Sequence, residues 1–243
     1  MNDVMLLGTC HEETPHYTQK SLVEIIGKHK PDIIFFELPE DWVVDEELFG
    51  GKVSGIEGNS IKEYTEKYPD CRIVLYDIKN RNKIYREMKA DENERAFNDA
   101  LELLYKNERL SLEDTLLYEK LNEVFTIRDN YLCNEYPRVI NSEISDRLIE
   151  YKEKLIYEYY KKVVVSYQEL IQYKDFIEFQ EEFWNTRNEA MAWNIVKTLM
   201  EEKDGIKAII ICGFEHRSIL KKIFKKYAEE VTIKEYWDYD INQ

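Results

Sequence analysis

The sequence predicts an α/β fold: a mostly parallel central sheet of about five strands, built from β-α-β units, with a large helical insertion. Three observations carry this. Short, nearly continuous apolar runs sit at the two ends of the chain, at 4–7, 33–36, 72–76 and 208–212, as strands buried on both faces require. Amphipathic helical spacing lies between them, with Leu22, Ile25 and Ile26 after the first run and Ile219, Leu220, Ile223, Phe224 and Tyr227 after the run at 208–212. From about residue 80 to 202 glycine is absent and proline is confined to Pro137, while apolar residues recur at helical spacing.

Taken in order, Val4–Leu7 ends at Gly8, and Asp32–Phe36 starts after Pro31 and ends at Glu37. Residues 38–60 hold Pro39, Gly50, Gly51, Gly55 and Gly58, five of the chain's 8 Gly and 5 Pro, and are expected to form a mobile loop. Cys71–Tyr76 is a third strand with Asp77 at its end. The stretch from 80 to 202 is expected to hold three to five helices, one starting at Ser111 with Asp114 as its capping partner, and the last ending at Gly205. Its tyrosines read as packing groups ahead of a cleft lining. Ala208–Cys212 is a fourth strand and Val231–Trp237 a fifth. The sheet closes only when the C-terminal segment returns, so residues 1–243 read as one domain carrying an insertion.

Composition narrows the function. A formal net charge of −15 disfavours nucleic-acid phosphates and anionic membranes. No basic segment leads into an apolar core at the N-terminus, and no run approaches a membrane span, so a cytoplasmic protein is expected. Cys10, Cys71, Cys133 and Cys212 are isolated and read as reduced thiols.

The chemistry is expected at one place. Strand, Gly-x-x-His, then helix occurs twice, as MLLGTCH with His11 and IIICGFEH with His216, as a duplicated β-α-β unit would give. Glu37 and Glu235 follow in the next strands. Glycine at a strand's C-terminal end allows close approach where open α/β sheets bind ligands. Two histidines and a carboxylate there supply the donors that zinc, manganese, cobalt or iron favour, so His11, Glu37 and His216 are the candidate metal ligands and a divalent metal (Mn, Co or Zn) the candidate cofactor. Glu37 ends an apolar run and must find water, a cation or a donor. Left unpaired, it would make Glu37→Gln a stabilising change. In RNEAMAWNI, Arg187, Met191 and Asn194 share a helical face, which makes Arg187 a candidate anion clamp. His16 and His29 read as structural, His29 as a cation near a helix C-terminus. Asp77 reads equally as site residue or helix cap.

The segments LLGTCHEETPHY, KPDIIFFELPED, RNEAMAWNI and IICGFEHRSIL resemble the superfamily that joins TraB/PrgY pheromone-shutdown proteins, Tiki proteases, erythromycin esterases and ChaN-type haem-binding proteins. The resemblance covers about residues 3–41 and 183–220. GTxH with Glu37 is similar to the TraB and Tiki branch; RNxxMAxN is similar to the RDxxMAxN of erythromycin esterases, with Asn188 in place of the aspartate. The resemblance implies His11, Glu37, Arg187 and His216 around one pocket. It implies metal-dependent peptide hydrolysis on the Tiki side and histidine-activated water attacking an ester on the esterase side. The expected function is therefore hydrolysis of a peptide, amide or ester bond, with catalytic residues His11, Glu37, Arg187 and His216. The alternative is a non-catalytic protein that binds a peptide, haem or small ligand in the same cleft.

Overall fold

The computed structural model describes residues 2–44, 55–229 and 231–239. Its sheet has five strands, all parallel, in the order β3-β2-β4-β1-β5. These are β1 (Asn2–Thr9), β2 (Ile33–Pro39), β3 (Arg72–Asp77), β4 (Lys207–Gly213) and β5 (Val231–Lys234). Alternate side chains of β1, β2, β3 and β4 feed different cores, which is why those runs are largely apolar. Val4, Leu6, Ile33, Phe35, Ala208 and Ile210 pack on one face, against Met191–Leu199 and Leu220–Phe224. Met5, Leu7, Ile34, Phe36, Ile209 and Ile211 pack on the other, against Leu22, Ile26, Ile61 and Ile149.

The two β-α-β units interlock. β1 leads through α1 (Gln19–His29) to β2, and β4 leads through α9 (Phe214–Phe224) to β5. Each unit straddles the first strand of the other, because β4 lies between β1 and β2 while β1 lies between β4 and β5. The helices take opposite faces, Leu22 and Ile26 of α1 in one core and Leu220 and Ile223 of α9 in the other. In the central pair Gly8 lies opposite Cys212 and Thr9 opposite Gly213, so both glycines arrive at one edge. Connections that leave adjacent strands in opposite directions open a crevice at their C-terminal ends.

Between β3 and β4 the chain forms six α-helices: α3 (Arg81–Glu87), α4 (Ala90–Lys106), α5 (Leu112–Thr126), α6 (Pro137–Ile140), α7 (Glu143–Ser166) and α8 (Lys174–Glu201). That exceeds the expected three to five, because the helical spacing does not reveal the breaks at Met88–Lys89 or the one-turn α6. Ser111 caps α5 as expected, its hydroxyl accepting from the Asp114 N–H. The insertion has its own core, including Phe97, Leu101, Leu121, Tyr159 and Phe176. α8 crosses from that core to the sheet: Phe176 and Ile177 lie in the first, Met191 to Leu199 on the second. Trp184, Arg187 and Asn188 sit at the crossing.

Four local expectations need correction. The 38–60 loop is not irregular throughout, since α2 (Ile56–Lys67) begins at Ile56, behind Gly55 at φ 107°; Gly50 and Gly51 lie outside the described residues. Gly205 does not cap α8, which ends at Glu201; it takes φ 86° in the following turn. β5 stops at Lys234, and Tyr236–Tyr239 is a 3₁₀ turn in place of further strand. Glu235 is not the counterpart of Glu37, because it pairs with Arg217 and Lys221 beside Asp146. Among the described residues no helix is long and apolar enough to cross a membrane.

Candidate functional site

Glu37 occupies an irregularity in β2. Phe36 pairs with Leu75 and Pro39 with Asp77, so two residues of β2 oppose one of β3 and Glu37 leaves the ladder. Its Oε2 accepts the Gly213 N–H at 2.7 Å, and its Oε1 accepts Arg187 Nη2 at 2.7 Å. His216 Nε2 lies 3.4 Å from the same Oε1. Burial by itself would raise the carboxyl's pKa; the charges of His216, Arg187 and His11 and the Gly213 N–H override it and hold it at about 2. Glu37 is thus a paired anion, not the unpaired one the sequence suggested.

Arg187 is held in turn by Asp77, fully buried at the end of β3. Nε donates to Oδ1 and Nη2 to Oδ2, each at 2.9 Å, and Arg81 Nη1 adds a bond to Oδ2 at 2.6 Å. The fork fixes the guanidinium plane, so that Nη2 is aimed at Glu37. Asp77 belongs to the site by orienting Arg187; it also accepts the Ile78 N–H.

The two histidines have opposite surroundings. His216 is the third residue of α9, which follows β4 without a loop, and its ring stacks on Trp184 with centroids 4.3 Å apart. Nδ1 lies 2.7 Å from Asn188 Oδ1. Asn188 Nδ2 is committed to the Trp184 carbonyl at 2.8 Å, so the oxygen faces the ring and Nδ1 carries the proton. Nε2 is left as the lone-pair nitrogen. Burial lowers the pKa of His216 to about 4, against the opposing pull of Glu37. At pH 7 the ring is neutral.

His11 lies outside regular structure, at φ 65°, a left-handed conformation that disfavours a residue with a Cβ. Its Nδ1 is 2.9 Å from Glu57 Oε1, which also accepts the Thr9 hydroxyl. The hydrogen bond to Glu57, opposed by burial and reinforced by the charges of Glu57 and Glu37, raises the pKa to about 9. His11 is a cation at pH 7, with 61% of its side chain exposed. Its Nε2 hangs over Gly213, where a Cβ would be 2.6 Å from it and 3.6 Å from Glu37 Oε2. Gly8 answers from the other unit: a Cβ there would lie 2.9 Å from the Phe214 Cα. Each glycine of the repeated motif clears space for the other unit.

His11, Glu37, Arg187 and His216 therefore line one cavity of about 1150 Å³, together with Glu57, Trp184 and arginines 81, 86 and 128. His16 stays outside it, stacked on Tyr136. His29 is structural but not as a helix-end cation: it is buried, its Nε2 lies 2.9 Å from the Ala208 carbonyl, and burial lowers its pKa. Sequence reasoning missed Glu57 and the roles of Asn188 and Trp184. The one available signal for Glu57 was an acid two residues after Gly55, where a helix start prefers it.

The donor set does not fit the expected metal. Glu37 is occupied by Arg187 and a backbone N–H, His11 is a cation bound to Glu57, and among the described residues no three His, Cys, Asp or Glu are grouped as a metal shell needs. Two fixed cations, Arg187 and His11, oppose a third charge of the same sign. No family model, curated protein or solved structure matches the chain.

Proposed function

We propose that the chain is a hydrolase of the kind the superfamily resemblance implies, with histidine-activated water attacking an ester, amide or peptide carbonyl. One arrangement carries the reading: two histidines flank Glu37 in opposite surroundings, His216 buried against Trp184 and Asn188 and His11 bound to the Glu57 carboxylate, which favours a neutral His216 and a cationic His11. Groups so separated divide the work of base and acid.

His216 Nε2 takes a proton from water as the oxygen bonds to the carbonyl carbon, with Asn188 holding the tautomer through Nδ1. The imidazolium formed is offset by Glu37 Oε1, 3.4 Å away. His11 Nε2–H, over Gly213, stabilises the oxyanion and then protonates the leaving group as the carbon–heteroatom bond breaks. Arg187 keeps Glu37 ionised and in place.

A second reading, ligand capture without turnover, draws on a neighbouring cavity of about 550 Å³ in the insertion. Tyr85, Tyr118, Tyr157, Tyr160, Phe179 and Phe183 line it, and it shares Trp184 with the first. Aromatic walls beside a polar centre suit an apolar or flat ligand. Assays of ester, amide and peptide panels with the wild type, His216→Ala and Glu37→Gln separate the two. Turnover by the wild type that both variants lose supports hydrolysis. Full turnover by Glu37→Gln, or none by the wild type against saturable binding of an aromatic probe, moves the assignment to capture.

A further inference from the structure

The aromatic cavity of about 550 Å³ in the insertion adjoins the one that holds the histidines: Tyr85, Arg128, Trp184 and Glu215 line both. Trp184 is the partition. Its ring stacks on His216 with centroids 4.3 Å apart, and its indole nitrogen is buried with no hydrogen-bond partner among the described residues. Beyond it the wall is built of rings in contact, Phe179 on Phe183 at 5.3 Å and Tyr85 edge-on to Phe183 at 5.1 Å, with Leu101 and Ile156 adding aliphatic surface. A further ring would meet the faces and edges that aromatic groups prefer. The cations at the junction are already answered, since Glu215 Oε1 accepts from both Arg128 and Lys152, so a neutral group suits the chamber better than an anion.

We propose that this chamber is the specificity pocket of the site and takes a neutral aryl group carried on the acyl part of the substrate. The acyl side follows from the positions of the two histidines. His11, which protonates the leaving group, borders the first cavity alone, whereas Trp184 joins His216 to the second. A leaving group at His11 therefore lies away from the chamber, and the acyl chain runs past Trp184 toward it. The volume falls within the range of small-molecule pockets. The substrate class is thus an aryl-substituted acyl ester or amide. Its acyl side rests on the hydrolase reading; the aryl preference rests on the walls alone.

The test compares ethyl 3-phenylpropanoate with ethyl butanoate by pH-stat. It also compares 3-phenylpropan-1-ol with butan-1-ol, non-hydrolysable probes whose binding is followed by the ¹⁵N–¹H shifts of the 4 tryptophan indoles. The phenyl compounds should be favoured at least about 10-fold, the ester in kcat/KM through its KM and the alcohol in Kd. Gln180 lines the second cavity and not the first, from a partly buried position on α8. Gln180→Trp, with its fold checked by circular dichroism, should fill the chamber and bring both ratios down about 10-fold. Alcohol selectivity that Gln180→Trp removes, with neither ester turned over, would sink the hydrolase reading and keep the aryl pocket. A wild type that binds the two alcohols alike, or turns over the two esters alike, would overturn the pocket without reference to any variant.

Discussion

Gly213 and His11 compete for one small volume: a Cβ on Gly213 would lie 2.6 Å from His11 Nε2. The backbone of Gly213, at φ −55°, accepts alanine, so the collision falls on the imidazole and not on the fold. Gly213→Ala should leave the melting temperature nearly unchanged while pushing His11 away from Glu57. Its imidazole pKa, followed by NMR, should fall from about 9 toward 6.5, and turnover should drop about 100-fold as the acid is misplaced. An unchanged His11 titration would contradict the placement.

Gly8 makes the contrasting case. A Cβ there meets Phe214 Cα at 2.9 Å, and backbone between a strand and α9 gives way less readily than a ring. Gly8→Ala should destabilise the protein by about 1–3 kcal/mol in urea unfolding. The same substitution in the two motif glycines thus separates site from fold.

Most of this frame was legible in the sequence because it rests on local patterns. Apolar runs ending in glycine located β1 and β4, and the carboxylate closing IIFFE marked Glu37 where β2 leaves its ladder. What escaped depends on contacts between distant segments. Arg187 was marked by the polar face of its own helix, but nothing near Glu37 announces that the two pair across 150 residues, and nothing near His11 announces Glu57, which belongs to a helix hidden by its glycines. The matched Gly-x-x-His units suggested equivalent histidines, yet His216 stands in a helix and His11 in a left-handed turn. Burial keeps His216 neutral while the Glu57 carboxylate keeps His11 a cation, so the two differ in charge.

Glu37→Gln should now destabilise, contrary to the sequence expectation, because Arg187 loses an anionic partner while staying buried. About 1–3 kcal/mol is expected, with Asp77 still holding the guanidinium. Turnover should vanish while circular dichroism stays native. A gain in stability would mean that Glu37 is not paired as described.

The pH dependence of stability follows from three shifts. Glu37, at about 2 in the fold against 4.5, contributes stability present above 4.5 and lost as pH falls toward 2. His216, at about 4 against 6.5, stays neutral in the fold while the unfolded chain gains a proton, so stability also declines as pH falls from 6.5 to 4. His11, at about 9 against 6.5, acts oppositely: its contribution is complete below 6.5 and lost as pH rises through 9. Urea midpoints should peak near neutrality, and His11→Ala should flatten only the alkaline side.

Metal removal should do little. The donors are committed to Arg187, Glu57 and Asn188, so dialysis against a chelator should leave turnover within about two-fold, and elemental analysis of untagged protein should find substoichiometric Mn, Co and Zn. Activity lost to chelation and restored by one of these metals would reinstate the metal-ligand reading of His11, Glu37 and His216.

The division of labour between the histidines is tested most directly by ¹⁵N NMR of the imidazoles, of which the chain has only 4. At pH 7 His216 should be neutral with its proton on Nδ1, titrating near 4, while His11 should be doubly protonated up to about 9. If both titrate together near 6.5, or His216 carries its proton on Nε2, the acid and base assigned here are wrong.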